Sequence, residues 1–244
     1  MIKTPCQLCT EVRGSAMQLE TDSRTVQKGS VFVALPPANA GDDDQTMRHA
    51  AMAIEKGAGC VVLPCSHAGA LTQEQLAQGS CDFTFAEDIR AYLGELAAAA
   101  YGTGGMDIPV IAITGTNGKT TCAYLLEHLY RSCSMPVGVI GTISYRWPGH
   151  CEAAPLTTPG CLQLHRSIAQ MRNAGAKAVI MEASSHAIDQ KRIAGIPVSA
   201  AAFTNLTQDH LDYHKTLENY KLAKAKLFDL LGKEGVKENK TAVV

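Results

Sequence analysis

The sequence lacks most of what would carry a chain across a membrane or onto a polyanion. Lys and Arg total 22 against 23 Asp and Glu, a net charge of −1. No global positive field draws in nucleic acid, and no basic block marks a membrane surface. Met1 to Cys9 has no apolar stretch of the secretory-signal kind. No apolar run approaches the roughly 20 residues of a spanning helix. Disulfide-like spacing is also missing: there are nine cysteines, and Cys6-x-x-Cys9 has no second pair at zinc-finger spacing. Reduced thiols are the default reading, ahead of a bound metal. A cytoplasmic monomer with neither nucleic acid nor membrane as partner is expected.

What is present is globular. The 244 residues are 46% hydrophobic and 18% charged, enough for one or two domains with a real core. Apolar and helical patterns alternate. Strands are expected over 30–35, 60–63 and 82–85, with helices over 45–56, near 70–77 and over 86–101. The Gly-rich stretch 102–107 reads as a linker. Beyond it come a buried strand (108–114), a helix (119–132), a strand (137–143) and a polar loop to Pro159. Then follow a helix (160–173), a strand (178–183), a short helix, a strand (198–204) and a helix (217–231). This is an α/β chain: a small N-terminal domain, 1–104, before a doubly wound, mostly parallel sheet in 105–244. Thr241 to Val244 reads as the start of another strand with no helix to cover it, so a C-terminally truncated chain is expected.

The most specific motif runs from Gly115 through Thr116, Asn117, Gly118, Lys119 and Thr120 to Thr121. Glycines leave backbone N–H groups bare for phosphate. A helix N-terminus adds its positive end, and Lys119 adds a point charge for the β/γ-phosphates. The Thr120 hydroxyl is placed to ligate magnesium. Gly-rich strand-to-helix turns are common, but a Lys-Thr-Thr run directly after one, behind a buried strand, is far rarer.

Other polar residues fall at expected strand ends, where open α/β sheets bind ligands. Glu182 closes an apolar strand and is a magnesium candidate, ahead of the competing reading as a solvated strand-end carboxylate. Asp209, His210, Asp212 and His214 suggest metal or phosphate contacts, or helix capping. Gln190 and Arg192 suit an anionic substrate, and Thr157 and Thr158 could donate hydroxyl hydrogen bonds. Lys221, Lys224 and Lys226 read by composition as a solvated basic face.

Together these segments resemble the Mur ligase family, ATP-dependent amide-bond ligases of peptidoglycan precursor synthesis. The pieces are 115–121, Thr-Thr-Pro at 157–159, Glu-Ala-Ser-Ser-His at 182–186 with Gln190 and Arg192, the run 203–214, and Tyr-Lys-Leu-Ala-Lys at 220–224. The Thr-Thr-Pro, Ser-Ser-His and Gln-x-Arg pieces belong to the branch that adds a diamino acid to UDP-MurNAc-L-Ala-D-Glu. The resemblance implies that 115–121 hold ATP and that Thr120, Glu182, His210 and a carbamylated Lys224 hold magnesium. It makes Lys119, Lys224 and His210 catalytic. It assigns Thr157, Thr158, Ser184, Gln190 and Arg192 to the UDP-muramoyl dipeptide, with Ser23 of Asp22-Ser-Arg24 at the uridine end. Three departures stand out: 36–44 lacks the family's Asp-Gly, Leu156 replaces a frequent Asn, and Gln208 a frequent Arg. Two alternatives stay open: a non-catalytic fragment that binds ATP and a UDP-sugar, and a related ligase of the next Mur, cyanophycin or folylpolyglutamate type.

Overall fold

Short β-branched runs bounded by glycine or helix caps build two sheets in this protein. The computed structural model describes residues 1–15, 17–37, 43–70, 81–232 and 240–244. They divide into two compact units, Met1–Tyr101 and Gly102–Val244.

The first unit opens with α1 (Pro5–Val12), a helix absent from the sequence reading. Its signal was nonetheless local: Thr4 and Gln7 form a reciprocal capping box and Pro5 fills the first turn. Strands β1 (Leu19–Glu20), β2 (Val31–Val33), β3 (Cys60–Pro64) and β4 (Asp82–Ala86) form one parallel sheet in that order. Helix α2 (Asp43–Glu55) links β2 to β3, and Phe32, Val61, Leu63 and Phe83 fill the core. Helix α3 (Ile89–Tyr101) begins later than the Ala-rich pattern predicts. The Asp88 carboxylate accepts from Ala91 N at 3.0 Å and fixes the start there. A 3-10 turn covers Cys65–Ala70, and the helix expected near 70–77 lies outside the described residues.

The second unit holds a seven-stranded sheet of order β11-β10-β5-β9-β6-β7-β8. Its strands are β5 (Val110–Thr114), β6 (Gly138–Ile140), β7 (Ser144–Trp147), β8 (His150–Ala153), β9 (Val179–Glu182), β10 (Val198–Phe203) and β11 (Thr241–Val243). Helices are α4 (Lys119–Ser132), α5 (Cys161–Asn173), α6 (Ser185–Asp189), α7 (Leu211–His214) and α8 (Leu217–Ala225). All pairs are parallel except those of β7 with β6 and β8. Helix α4 packs Ala123 and Leu126 on one face, against Ile113, Val139 and Ile180. The other face buries Leu164, Ile168 and Met171 of α5 and Leu227. The expected doubly wound, mostly parallel architecture holds.

Two local expectations are corrected. The "polar loop" before Pro159 contains the β7–β8 hairpin, turned at Pro148-Gly149, where Gly149 has φ 79°. The helix expected over 217–231 ends at Ala225. Leu227 N then bonds to Lys224 O and Leu230 N to Leu227 O, a tightening to 3-10 geometry that turns Leu227 inward. No described helix is long and apolar enough to cross a membrane.

Candidate functional site

Strand β5 lies between β10 and β9, so three carboxyl ends meet at one place. Ile113 pairs with Glu182 and Phe203 with Thr114. Chain order reverses across β5, the position where open α/β sheets form their ligand crevice. The chain leaves β5 through Gly115 at φ 138° and enters α4 through Gly118 at φ 85°. A Cβ on Gly115 would lie 1.9 Å from Thr204 Oγ1, so only glycine fits. No side chain caps α4, which leaves its first-turn N–H groups for an anion.

The loop crown is braced by the segment after β10. Asn205 O accepts from Thr116 N at 2.9 Å, and Asn205 Oδ1 accepts from Asn117 N at 3.1 Å. Thr204 Oγ1 donates to Asn117 O at 2.6 Å, and Thr207 N donates to Thr116 Oγ1 at 3.0 Å. Lys119 Nζ donates to Gly115 O and Thr116 O, both at 2.9 Å. Burial lowers its pKa, against the opposing pull of Glu182 and Asp209.

Glu182 is 1% exposed, which excludes a solvated strand-end carboxylate. A buried carboxylate must be hydrogen-bonded. Thr120 Oγ1 donates to its Oε2 at 2.9 Å, Thr142 Oγ1 donates to Oε2 at 3.0 Å, and Thr142 N donates to Oε1 at 3.1 Å. Gly141 allows this approach: a Cβ there would sit 2.3 Å from Glu182 Oε1. Thr120 and Glu182 therefore stand together, as an all-oxygen donor set of the kind magnesium takes.

Lys224 is also 1% exposed, while its neighbours Lys221 and Lys226 stay in solvent. Its Nζ donates to Gly115 O at 2.8 Å and stands 4.5 Å from the Tyr220 ring centroid. Two lysines thus converge on one loop carbonyl. Burial, then the charge of Lys119, lowers the Lys224 pKa to about 8. His210 starts α7 in the left-handed region at φ 51° and is exposed, with Nε2 3.4 Å from Asp209. Its ring centroid lies 4.9 Å from that of His186. His214 is buried against Ser185 Oγ at 3.0 Å. Among the described residues, no three His, Cys, Asp or Glu gather as a metal cluster.

The residues read as substrate contacts fall in two places. Thr157, Thr158, Ser184, Gln190 and Arg192 share one neighbourhood of the second unit. Thr157 Oγ1 lies 3.1 Å from Thr142 Oγ1. Thr158 is buried, donating to Glu182 O at 2.7 Å and accepting from Ser184 N at 3.1 Å. Ser184 caps α6, accepting from Ala187 N. Arg192 donates from Nη1 to Thr158 O at 3.0 Å, and from Nε and Nη2 to Gln190 Oε1 at 3.0 and 2.7 Å. Ser23 belongs to the first unit, buried in a turn where Arg24 grips Asp22 through both carboxylate oxygens. Thr142 and Gly141 were not singled out from sequence, and Thr204 and Asn205 were quoted only within the run 203–214, with no role of their own. A Gly-Thr pair just past a short apolar strand was the one local signal for the first two.

A glycine turn from a buried strand into an uncapped Lys-Thr helix, with a buried carboxylate across from it, defines an α/β nucleotide-phosphate-binding domain. The chain belongs to the Mur ligase family, and the Mur ligase middle domain matches residues 113–244. It is 48% identical over 219 residues to the UDP-N-acetylmuramoyl-L-alanyl-D-glutamate--2,6-diaminopimelate ligase of Lawsonia intracellularis, over 90% of this chain and 43% of that one. A solved structure of a ligase with the same name superposes with a TM-score of 0.71 at 32% identity, covering 87% of this chain and 41% of that one. The MurF ligase of Thermotoga maritima, solved in complex with ADP, shares the fold: TM-score 0.56 at 20% identity, over 96% of this chain and 45% of that one. The chain spans about two fifths of the length of the relatives it matches.

Proposed function

We propose that this chain carries the ATP- and UDP-substrate-binding parts of an amide-bond ligase that joins a diamino acid to UDP-MurNAc-L-Ala-D-Glu. The relatives' named activity favours 2,6-diaminopimelate as that diamino acid. One observation carries the reading: Glu182 is buried against Thr120 of the phosphate loop, while Lys119 and Lys224 both reach Gly115 O. A generic nucleotide site needs the loop and a carboxylate; it does not need a second, buried lysine. The cytoplasm and a monomeric state are part of the same reading.

The chemistry has two displacements. A substrate carboxylate oxygen attacks the γ-phosphorus of ATP, giving an acyl phosphate and releasing ADP. The amine of the diamino acid then attacks the acyl carbon and expels phosphate. Lys119 supplies positive charge where the transferring phosphoryl develops negative charge. The first-turn N–H groups of α4 orient the phosphates. Thr120 and Glu182, with His210 and a carbamate on Lys224, would hold magnesium, whose role when bound is to neutralise phosphate charge. A Lys224 pKa of about 8 leaves a share of neutral amine, the form that adds carbon dioxide. Thr157, Ser184, Gln190 and Arg192 would orient the dipeptide carboxylate, Thr158 would fix their backbone, and Ser23 would meet the uridine end.

The test is ligation by the full-length protein from ATP, UDP-MurNAc-L-Ala-D-Glu and diaminopimelate, beside Lys119→Ala. A loss of roughly 10²–10³-fold with the fold retained is expected. Unchanged ligation would sink the reading. The share of relatives covered favours a second reading for this chain alone, binding without ligation; product formed by the isolated chain would exclude it. Stimulation of ADP release by a different acceptor carboxylate would instead indicate a related ligase.

A further inference from the structure

We infer that Asp189 is a positioning residue: it ties the Gln190–Arg192 turn to the helix that carries Lys224. The inference rests on the substrate reading proposed above for that turn. Asp189 is the last residue of α6, and α6 packs on α8. Its two oxygens have different partners. Lys226 Nζ, two residues past Lys224, donates to Oδ1 at 2.8 Å, and Tyr213 Oη donates to Oδ2 at 3.1 Å. Tyr213 Oη in turn lies 3.5 Å from Gln190 Nε2, its long-range donor. Gln190 Oε1 takes two bonds from Arg192, whose third goes to Thr158 O. A continuous chain of polar contacts therefore runs from the end of α8 to the residues offered to the dipeptide.

The geometry gives each member a task. Gln190 has one amide, and its oxygen accepts two bonds from the Arg192 guanidinium, which fixes how that group is oriented. Its NH₂ end then sets the rotamer, and Tyr213 is what that end meets. With its own proton directed to Asp189, Tyr213 presents a lone pair to that end. Burial works against charge on Asp189, but Lys226 and Tyr213 outweigh it and hold the carboxyl ionised. The Lys226–Asp189 pair is partly exposed, 55% and 33%, so as an ion pair alone it contributes little to stability. Its effect is orientation, and it should be felt by one ligand and not the other.

The experiment measures the affinity of the chain for UDP-MurNAc-L-Ala-D-Glu and, separately, for ATP. Asp189→Asn and Tyr213→Phe keep size and shape. Each is expected to weaken UDP-substrate binding about fivefold, the scale of one hydrogen bond, with ATP affinity within about twofold. Lys226→Met is expected to act in the same direction, and Asp189→Asn/Lys226→Met to cost no more than Asp189→Asn alone, because the two share one contact. If Gln190→Ala and Arg192→Ala weaken the UDP-substrate while Asp189→Asn and Tyr213→Phe do not, the relay is overturned and the proposed function stands. If none of the four weakens it, the substrate reading fails and the relay falls with it. Parallel losses for both ligands with a lowered melting temperature would mark a merely structural pair, and also overturn the inference.

Discussion

The two sheets are built alike and end differently. In the first unit β3 finishes at Leu63-Pro64 and β4 at Phe85-Ala86, and these ends carry no charge. In the second unit β5 finishes at Thr114, β9 at Glu182, and β10 runs into Thr204. Strands β3, β5 and β9 are alike in being apolar and almost wholly buried, while β10 is half-buried. Burial of Glu182 costs free energy that its hydroxyl and N–H partners only offset, so folding alone gives no reason for a carboxylate there. The core residues set the architecture of both units; the strand ends separate a sheet that finishes in apolar residues at β3 and β4 from one that gathers a glycine loop and a buried carboxylate.

That contrast can be sharpened by substitution. The largest stability effect is expected at Gly115→Ala, which combines a left-handed φ with a Cβ inside van der Waals contact of Thr204. A loss of about 4 kcal/mol is expected in urea unfolding, from backbone strain plus overpacking. A smaller effect comes from His165, fully buried between Thr103 and Ala194 O. Burial lowers its pKa from 6.5 to about 4, so the folded state holds fewer protons than the unfolded one between those values. Stability is therefore complete above about pH 6.5 and falls on acidification towards pH 4, by about 3 kcal/mol in total. His165→Asn should flatten that part of the urea midpoint–pH curve; an unchanged slope would refute the assignment. The smallest effect is expected in the first unit, at Lys3→Met. Lys3 joins Glu11 and Asp82 near the surface, and the loss should stay below about 1 kcal/mol.

The sequence carried the second unit further than the first. Helix α4 was legible to both ends because a glycine turn starts it and the apolar spacing stops with it. The β7–β8 hairpin was hidden because its Pro-Gly turn and polar residues resemble a loop until the edge of a sheet pairs them. Lys119 and Thr120 announced themselves locally. Lys224 did not: three lysines on one helix read as a solvated face, and only the family resemblance pointed it inward. Thr142 and Asn205 meet Glu182 and Asn117 across 40 and 88 residues of chain. No local pattern encodes such contacts; the strand order β10-β5-β9-β6 creates them.

We propose that loop 115–121 and Glu182 form one ATP–magnesium site. Calorimetric titration of ATP into the chain and into Glu182→Gln, with magnesium and with a chelator, tests it most directly. Glu182→Gln keeps an oxygen for Thr120 or Thr142 and removes the charge. Affinity is expected to be about tenfold weaker or more in magnesium for Glu182→Gln, a change of about 1.4 kcal/mol, with no difference in the chelator. Equal affinity of the two proteins in magnesium would contradict it.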